Sequence, residues 1–170
     1  MRVYKNLYPL IISPENLFIA WEIFKRDKQR KKDVLEFGME IEKNIFQLHH
    51  ELANKTYRHG PYTGFWICDP KRRRIHKATV RDRVVHHALF RVLNNVFEPT
   101  FIPTSFSCRL GKGTHKGVRW LKHTVRAVSQ NHTRPCFALK CDIKKFFDSV
   151  DHEILLELLG RKVKDEAVMA

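Results

Sequence analysis

The chain has 170 residues, 43% of them apolar and 12 of them Phe, enough to build a hydrophobic core. Seven Gly and seven Pro exclude a collagen-like or low-complexity chain, and no apolar run approaches the roughly 20 residues of a membrane span. Lys and Arg number 32 against 18 Asp and Glu, a net charge of +14 that points to a polyanionic partner.

The excess is uneven. Residues 71–83 hold seven basic side chains against Asp82, whereas residues 141–170 hold five basic and seven acidic. No basic amphipathic helix with a clean apolar face overlaps 71–83, so nucleic acid is favoured over a membrane surface. The N-terminus lacks the pattern of a secretory signal, and a cytoplasmic location is expected. Cys68, Cys108, Cys136 and Cys141 form no CxxC pair and match no zinc spacing, so reduced thiols packed mostly in the core are expected.

Residues 14–59 read as helical. Ser13 caps a helix opening at Pro14, with Leu17, Phe18, Trp21 and Phe24 at helical spacing. Lys25 to Lys32 is a charged loop or solvated face. A second helix from about Asp33 carries Phe37, Ile41, Ile45 and Leu48, a stripe expected to pack. Gly60, Pro61 and Gly64 mark a loop. Phe65, Trp66 and Ile67 form a β-prone run, Asp69-Pro70 a turn, and residues 73–78 a return strand, giving a hairpin with a basic tip. Residues 79–97 predict a helix with Val80, Val84, Val85, Ala88, Leu89, Val92, Leu93 and Val96 on its apolar face. Pro99 and Pro103 stop it.

Residues 101–109 are irregular. Gly111, Gly113 and Gly117 precede and enter a helix from about Thr114 to Ser129, with Val118, Leu121, Val125 and Val128 as its expected buried stripe. Residues 136–142 read as a strand ending in Asp142. A helix from about Asp151 to Leu159 follows, capped by Ser149 or Asp151 and ended by Gly160. Phe146 is expected in the core.

The segment most specific for chemistry is Phe137 to Leu159. Two-metal phosphoryl transfer needs carboxylates on rigid elements, with the ions roughly 4 Å apart, and an Asp at a strand end supplies one arm. On the pattern alone, a turn-capping role for Asp142 is equally open. The GKGTHKG run lacks the spacing of a P-loop and reads as a close backbone approach, to nucleic acid or to the chain itself.

DIKKFFDSVDHEIL (142–155) resembles the first catalytic motif of the palm in prokaryotic-type reverse transcriptases, those of group II introns, retrons and diversity-generating retroelements. IHKATVRDRVVHHAL (75–89) resembles the fingers motif of that family, and SFSCRLGKGTHKGV (105–118) the motif between fingers and palm. The three occur in family order. The resemblance implies an α/β (α+β) fingers–palm fold: an N-terminal helical region at 1–56, fingers at 57–134 and the start of an incomplete palm at 135–170.

It further implies an RNA-directed DNA polymerase that joins deoxynucleotides to a primer 3′ end on an RNA template with two Mg2+ ions. Asp142 matches a metal-binding aspartate, and Ile143 the position whose carbonyl faces a metal. Phe147 matches the ring that excludes a 2′-hydroxyl. Lys77 and Arg81, with Arg74, fall where the fingers grip the triphosphate; non-specific phosphate contact is the alternative for each. Arg72, Arg73, Arg109 and Lys112 are expected backbone contacts. The family's aromatic-x-Asp-Asp motif is absent, since no adjacent Asp pair occurs in the chain. The chain is therefore expected to be inactive alone and to work with a downstream palm and thumb polypeptide. A non-catalytic nucleic-acid-binding role is the alternative.

Overall fold

The structure is a computed structural model that describes residues 2–170. It is an α+β chain whose regular elements are helices except for one antiparallel pair of strands among the described residues. It divides into two compact units, residues 2–96 with Leu159–Ala170, and Phe97–Leu158. No helix among the described residues is long and apolar enough to cross a membrane.

The first unit begins with a short helix that the sequence reading did not include, α1 (Tyr8–Ile12). Its Ile11 and Ile12 are buried, and the Tyr8 hydroxyl donates to the Leu52 carbonyl at 2.6 Å. α2 (Pro14–Phe24) starts where expected, with the Ser13 hydroxyl accepting from the Asn16 amide. Leu17, Ala20, Trp21 and Phe24 are buried along it. Residues 25–31 form turns.

The expected second helix is two. α3 (Lys32–Met39) and α4 (Ile41–Ala53) are separated at Glu40, whose φ of −118° and ψ of 39° leave the helical region. Asn44 Nδ2 takes up a carbonyl released by the break, that of Phe37, at 2.9 Å. Helix ends at Ala53, short of residue 59. Lys55 turns to φ +57°, and the amides of Thr56 and Tyr57 close onto the Glu51 carbonyl. Ile45, Leu48 and Leu52 are buried.

β1 (Thr63–Ile67) and β2 (Arg73–Lys77) form the expected hairpin, with Thr63 opposite Lys77 and Ile67 opposite Arg73. α5 (Val80–Phe97) buries Val80, Val84, Ala88 and Val96, whereas Val85, Val92 and Leu93 of the expected face are only partly covered and Leu89 is exposed. Buried Asn16 ties α2 to α5: its Nδ2 donates to the carbonyls of Ile11 and Ala88, and its Oδ1 accepts from Arg91 Nε. Satisfying every polar atom of a buried amide is what makes its burial tolerable. Near the C-terminus, Tyr4 pairs with Val163, and the Tyr8 amide donates to Asp165 at 2.8 Å.

The second unit is built differently. Irregular chain after Glu98–Thr100 leads to α6 (Thr114–Val128), which opens at Gly113 with φ +105°, a conformation an L side chain rarely adopts. The expected stripe on α6 is not buried: Val118, Leu121 and Val128 are each more than half exposed. Residues 136–142 form no strand. A strand exists through its ladder, and no segment among the described residues pairs with this one. Phe146 is 51% exposed rather than core. All four cysteines are exposed, because they lie at the hairpin end, in loops and in this unpaired segment. α7 (His152–Gly160) is capped by Asp151, whose carboxylate accepts from the Glu153 and Ile154 amides. A short α8 (Glu166–Met169) lies in the first unit.

Candidate functional site

At the base of the hairpin an open cleft of about 430 Å³ is lined by residues that include Asp33, Glu36, Phe37, Thr63, Lys77 and Arg81. Three elements position it. The Thr63–Lys77 pair closes the two-strand ladder, the first turn of α5 begins three residues later, and α3 presents Asp33 from its own first turn. Lys77 Nζ donates to Asp33 at 2.6 Å, and Arg83 reaches the same oxygen at 3.3 Å. The Lys77 hydrogen bond, helped by the charges of Lys77 and Arg83 and opposed by burial, holds the Asp33 carboxyl below its ordinary range. Arg81 pairs with Glu51 of α4, lies 5.0 Å over the Tyr57 ring and donates to the Arg58 carbonyl. Two cations expected to meet phosphate thus share one cleft, each held by a carboxylate from an N-terminal helix.

Beside the cleft sits a cluster that the sequence reading missed. Asp82 is fully buried. Its carboxylate accepts from the Tyr57 hydroxyl at 2.7 Å, the Thr79 hydroxyl at 2.5 Å and the Gly60 amide at 3.2 Å. Burial alone would raise its pKa; the bonds from Thr79, Tyr57 and Gly60, with His59 nearby, outweigh this and hold it low. Tyr57 is pushed strongly upward by burial and by that anion. The cluster fixes the chain entering the hairpin onto the start of α5. Its signal was the Thr79-x-x-Asp82 spacing of a capping box, with the Asp82 amide donating back to the Thr79 hydroxyl.

The hairpin carries exposed cations and rings. The Arg72 guanidinium lies 4.3 Å over the exposed Trp66 ring. Arg73 and Arg74 are exposed on β2, opposite Ile67 and Trp66. Next to them, rings run in series: His86 on His59, His59 on Tyr62, and Tyr62 near His76, with centroids 4.8 to 6.4 Å apart.

The other site candidates lie in the second unit. Arg109 is clasped inside it, donating to both Glu98 carboxylate oxygens and to the carbonyls of Ile102 and Ser105. Lys112 donates to the Pro103 carbonyl at 2.7 Å. Asp142 and Ile143 are exposed, and Phe147 is 87% exposed. Among the described residues no group of three or more His, Cys, Asp or Glu side chains could hold a metal ion. Asp142 and the Ile143 carbonyl alone do not fit a two-ion centre, which needs several carboxylates converging on the ions.

No model of a known protein family matches the chain. Individual relatives do. The chain is 24% identical to the group II intron-encoded protein LtrA of Lactococcus lactis subsp. cremoris, over 96% of this chain and 27% of that protein. It is 25% identical to protein YkfC of Escherichia coli K12, over 97% of this chain and 45% of YkfC. Over 52% of its length it is 29% identical to the mitochondrial nuclear intron maturase 1 of Arabidopsis thaliana, covering 12% of that protein. The chain thus spans about a quarter of LtrA and under half of YkfC. With a group II intron-encoded protein matched over nearly its whole length and an intron maturase over half of it, the chain's resemblance to the prokaryotic-type reverse transcriptases of group II introns rests on more than three motifs.

Proposed function

We propose that the chain supplies the nucleotide-gripping and nucleic-acid-binding surface of a retroelement RNA-directed DNA polymerase with a fingers–palm fold. The observation that carries this reading is the meeting of Lys77 and Arg81 at one open cleft, beside a basic hairpin that bears exposed rings. Lys77 and Arg81, with Arg74, neutralise the triphosphate of an incoming deoxynucleotide and hold it for in-line attack. Arg72 and Arg73 meet the phosphates of an RNA template or DNA primer, with Trp66 offering a face on which a base stacks. Arg109 and Lys112 reach the backbone only as their internal bonds yield. Phe147 fills the space of a 2′-hydroxyl. Relatives named for introns support RNA as the partner.

Magnesium in such an enzyme is held by Asp142 together with further carboxylates, and no transfer step is derived for this chain's residues alone. Primer extension by the 170-residue chain is expected to fail; robust synthesis would overturn that account. Binding of an RNA–DNA hybrid should weaken steeply with salt as counterions are released, and Arg72→Gln should lower the log–log slope by about 1. Salt-insensitive binding would sink the reading. A non-catalytic nucleic-acid-binding role is a second reading, which the exposed cations and rings of the hairpin support equally. A longer polypeptide carrying both this chain and an aromatic-x-Asp-Asp stretch, active in primer extension only when Asp142 is intact, would decide for the first.

A further inference from the structure

Asp33 lies outside all three motifs, 44 residues before Lys77 in the chain, yet it lines the cleft and makes a short bond to the lysine there. Both side chains of the pair are about one-third exposed, Lys77 at 35% and Asp33 at 36%. A pair this open to water is weak and exchangeable. Asp33 also has a second cation within reach, Arg83 at 3.3 Å, so losing Lys77 does not leave its carboxylate unpaired. Arg81 shows the same arrangement, paired with Glu51 from 30 residues upstream. In each case a carboxylate from the N-terminal helices sits on a cation that the proposed function gives to phosphate.

We propose that Asp33 is a surrogate anion: it holds Lys77 in the cleft until a polyphosphate displaces it, and falls back on Arg83 when that happens. The inference rests on the reading of Lys77 and Arg81 as triphosphate-gripping residues, and it makes Asp33 a residue that sets affinity at that site through Lys77. Displacing Asp33 from Lys77 gives up an exposed ion pair at contact distance in water, and that loss opposes binding by about a factor of five, more at low salt. Asp33 thereby keeps the lysine oriented and screens the cleft against weakly charged anions.

The test is calorimetric titration of the full 170-residue chain with inorganic tripolyphosphate at low salt. Asp33→Asn should bind about fivefold more tightly than the unmodified chain, and Glu51→Gln should show a gain in the same direction at Arg81. Lys77→Gln should weaken binding, and adding Asp33→Asn to it should restore nothing, because the gain acts through the lysine. A merely structural role for Asp33 would not produce that non-additivity. Circular dichroism of each variant checks folding. If Asp33→Asn does not fold, Glu51→Gln carries the same expectation. If the unmodified chain binds and Lys77→Gln weakens it, but Asp33→Asn and Glu51→Gln bind no better, the surrogate-anion inference is overturned and the triphosphate reading survives. If neither the unmodified chain nor either carboxylate variant binds, the triphosphate reading fails and takes the inference with it.

Discussion

In the first unit α4 places Ile45, Leu48 and Leu52 at helical spacing, and all three are buried; in the second, α6 places Val118, Leu121, Val125 and Val128 at the same kind of spacing, and three of the four are more than half exposed. α7 repeats the second pattern, with Ile154, Leu155, Leu156 and Leu158 all exposed. Periodicity alone marks a face that would gain from cover. It does not say whether another element lies against it. The first unit supplies that cover by packing α1, α2 and α4 together and α5 on α2. The second unit keeps one buried side chain, Ser129, whose hydroxyl closes a turn on the His132 amide.

The contrast can be broken most sharply in the first unit's core. Leu48→Ala should cost about 2–5 kcal/mol of unfolding free energy in urea titration, because a fully buried side chain leaves a cavity. A loss below 1 kcal/mol, about the size of a surface change, would mean that this core is no better packed than the second unit. Asp82→Asn comes next, at about 2–3 kcal/mol, since an amide oxygen cannot accept what both carboxylate oxygens now accept as an anion. Retained stability there would show that the capping cluster is not what fastens the hairpin to α5.

Acid should act in two stages. His86 and His87 have pKa values lowered, first by burial and then by neighbouring positive groups. The unfolded chain therefore binds more protons than the folded one as pH falls past about 6.5, and stability declines from there. Asp82 and Asp33 have lowered pKa values, so their contribution is present above about pH 4 and lost as pH falls through their folded values. A melting-temperature series from pH 7.5 to 3 should show both stages, and His86→Gln with His87→Gln should flatten the first.

The smallest effects belong to the second unit. Leu121→Ala should change stability by about 0.5 kcal/mol or less, while Leu121→Glu should reduce binding of a hydrophobic dye. Glu98→Gln should raise hydrogen exchange only between residues 98 and 113, where Arg109 now clasps the loop. A global loss of stability from either substitution at Leu121 would mean that α6 is buried after all.

Local signals were legible wherever their cause was local. Ser13 before Pro14, the β-prone run beside Asp69-Pro70, the prolines that end α5 and the Asp151 cap each act within a few residues, and each element formed where it was read. The break at Glu40 was not legible, because the apolar spacing of Phe37, Ile41, Ile45 and Leu48 runs across it unchanged; near it Gly38 lies against Trp21, where a Cβ would stand 3.2 Å from the indole. Asp142 was legible as a carboxylate in a motif, but the strand meant to carry it was not decided by its own residues. Lys77 and Arg81 were picked out by the resemblance of their motif, whereas Asp33 and Glu51, which hold them, lie 30 or more residues away with no spacing to betray them.

The sequence by itself determined the starts of α2 and α7, the end of α5, the hairpin, the basic stretch and the homology, because propensity, capping, charge and motif spacing are properties of neighbouring residues. Only the tertiary structure decided which apolar faces are covered, which cations are already paired, and that residues 136–142 join no ladder. Burial, ion pairing and strand formation each need a partner that chain order does not name.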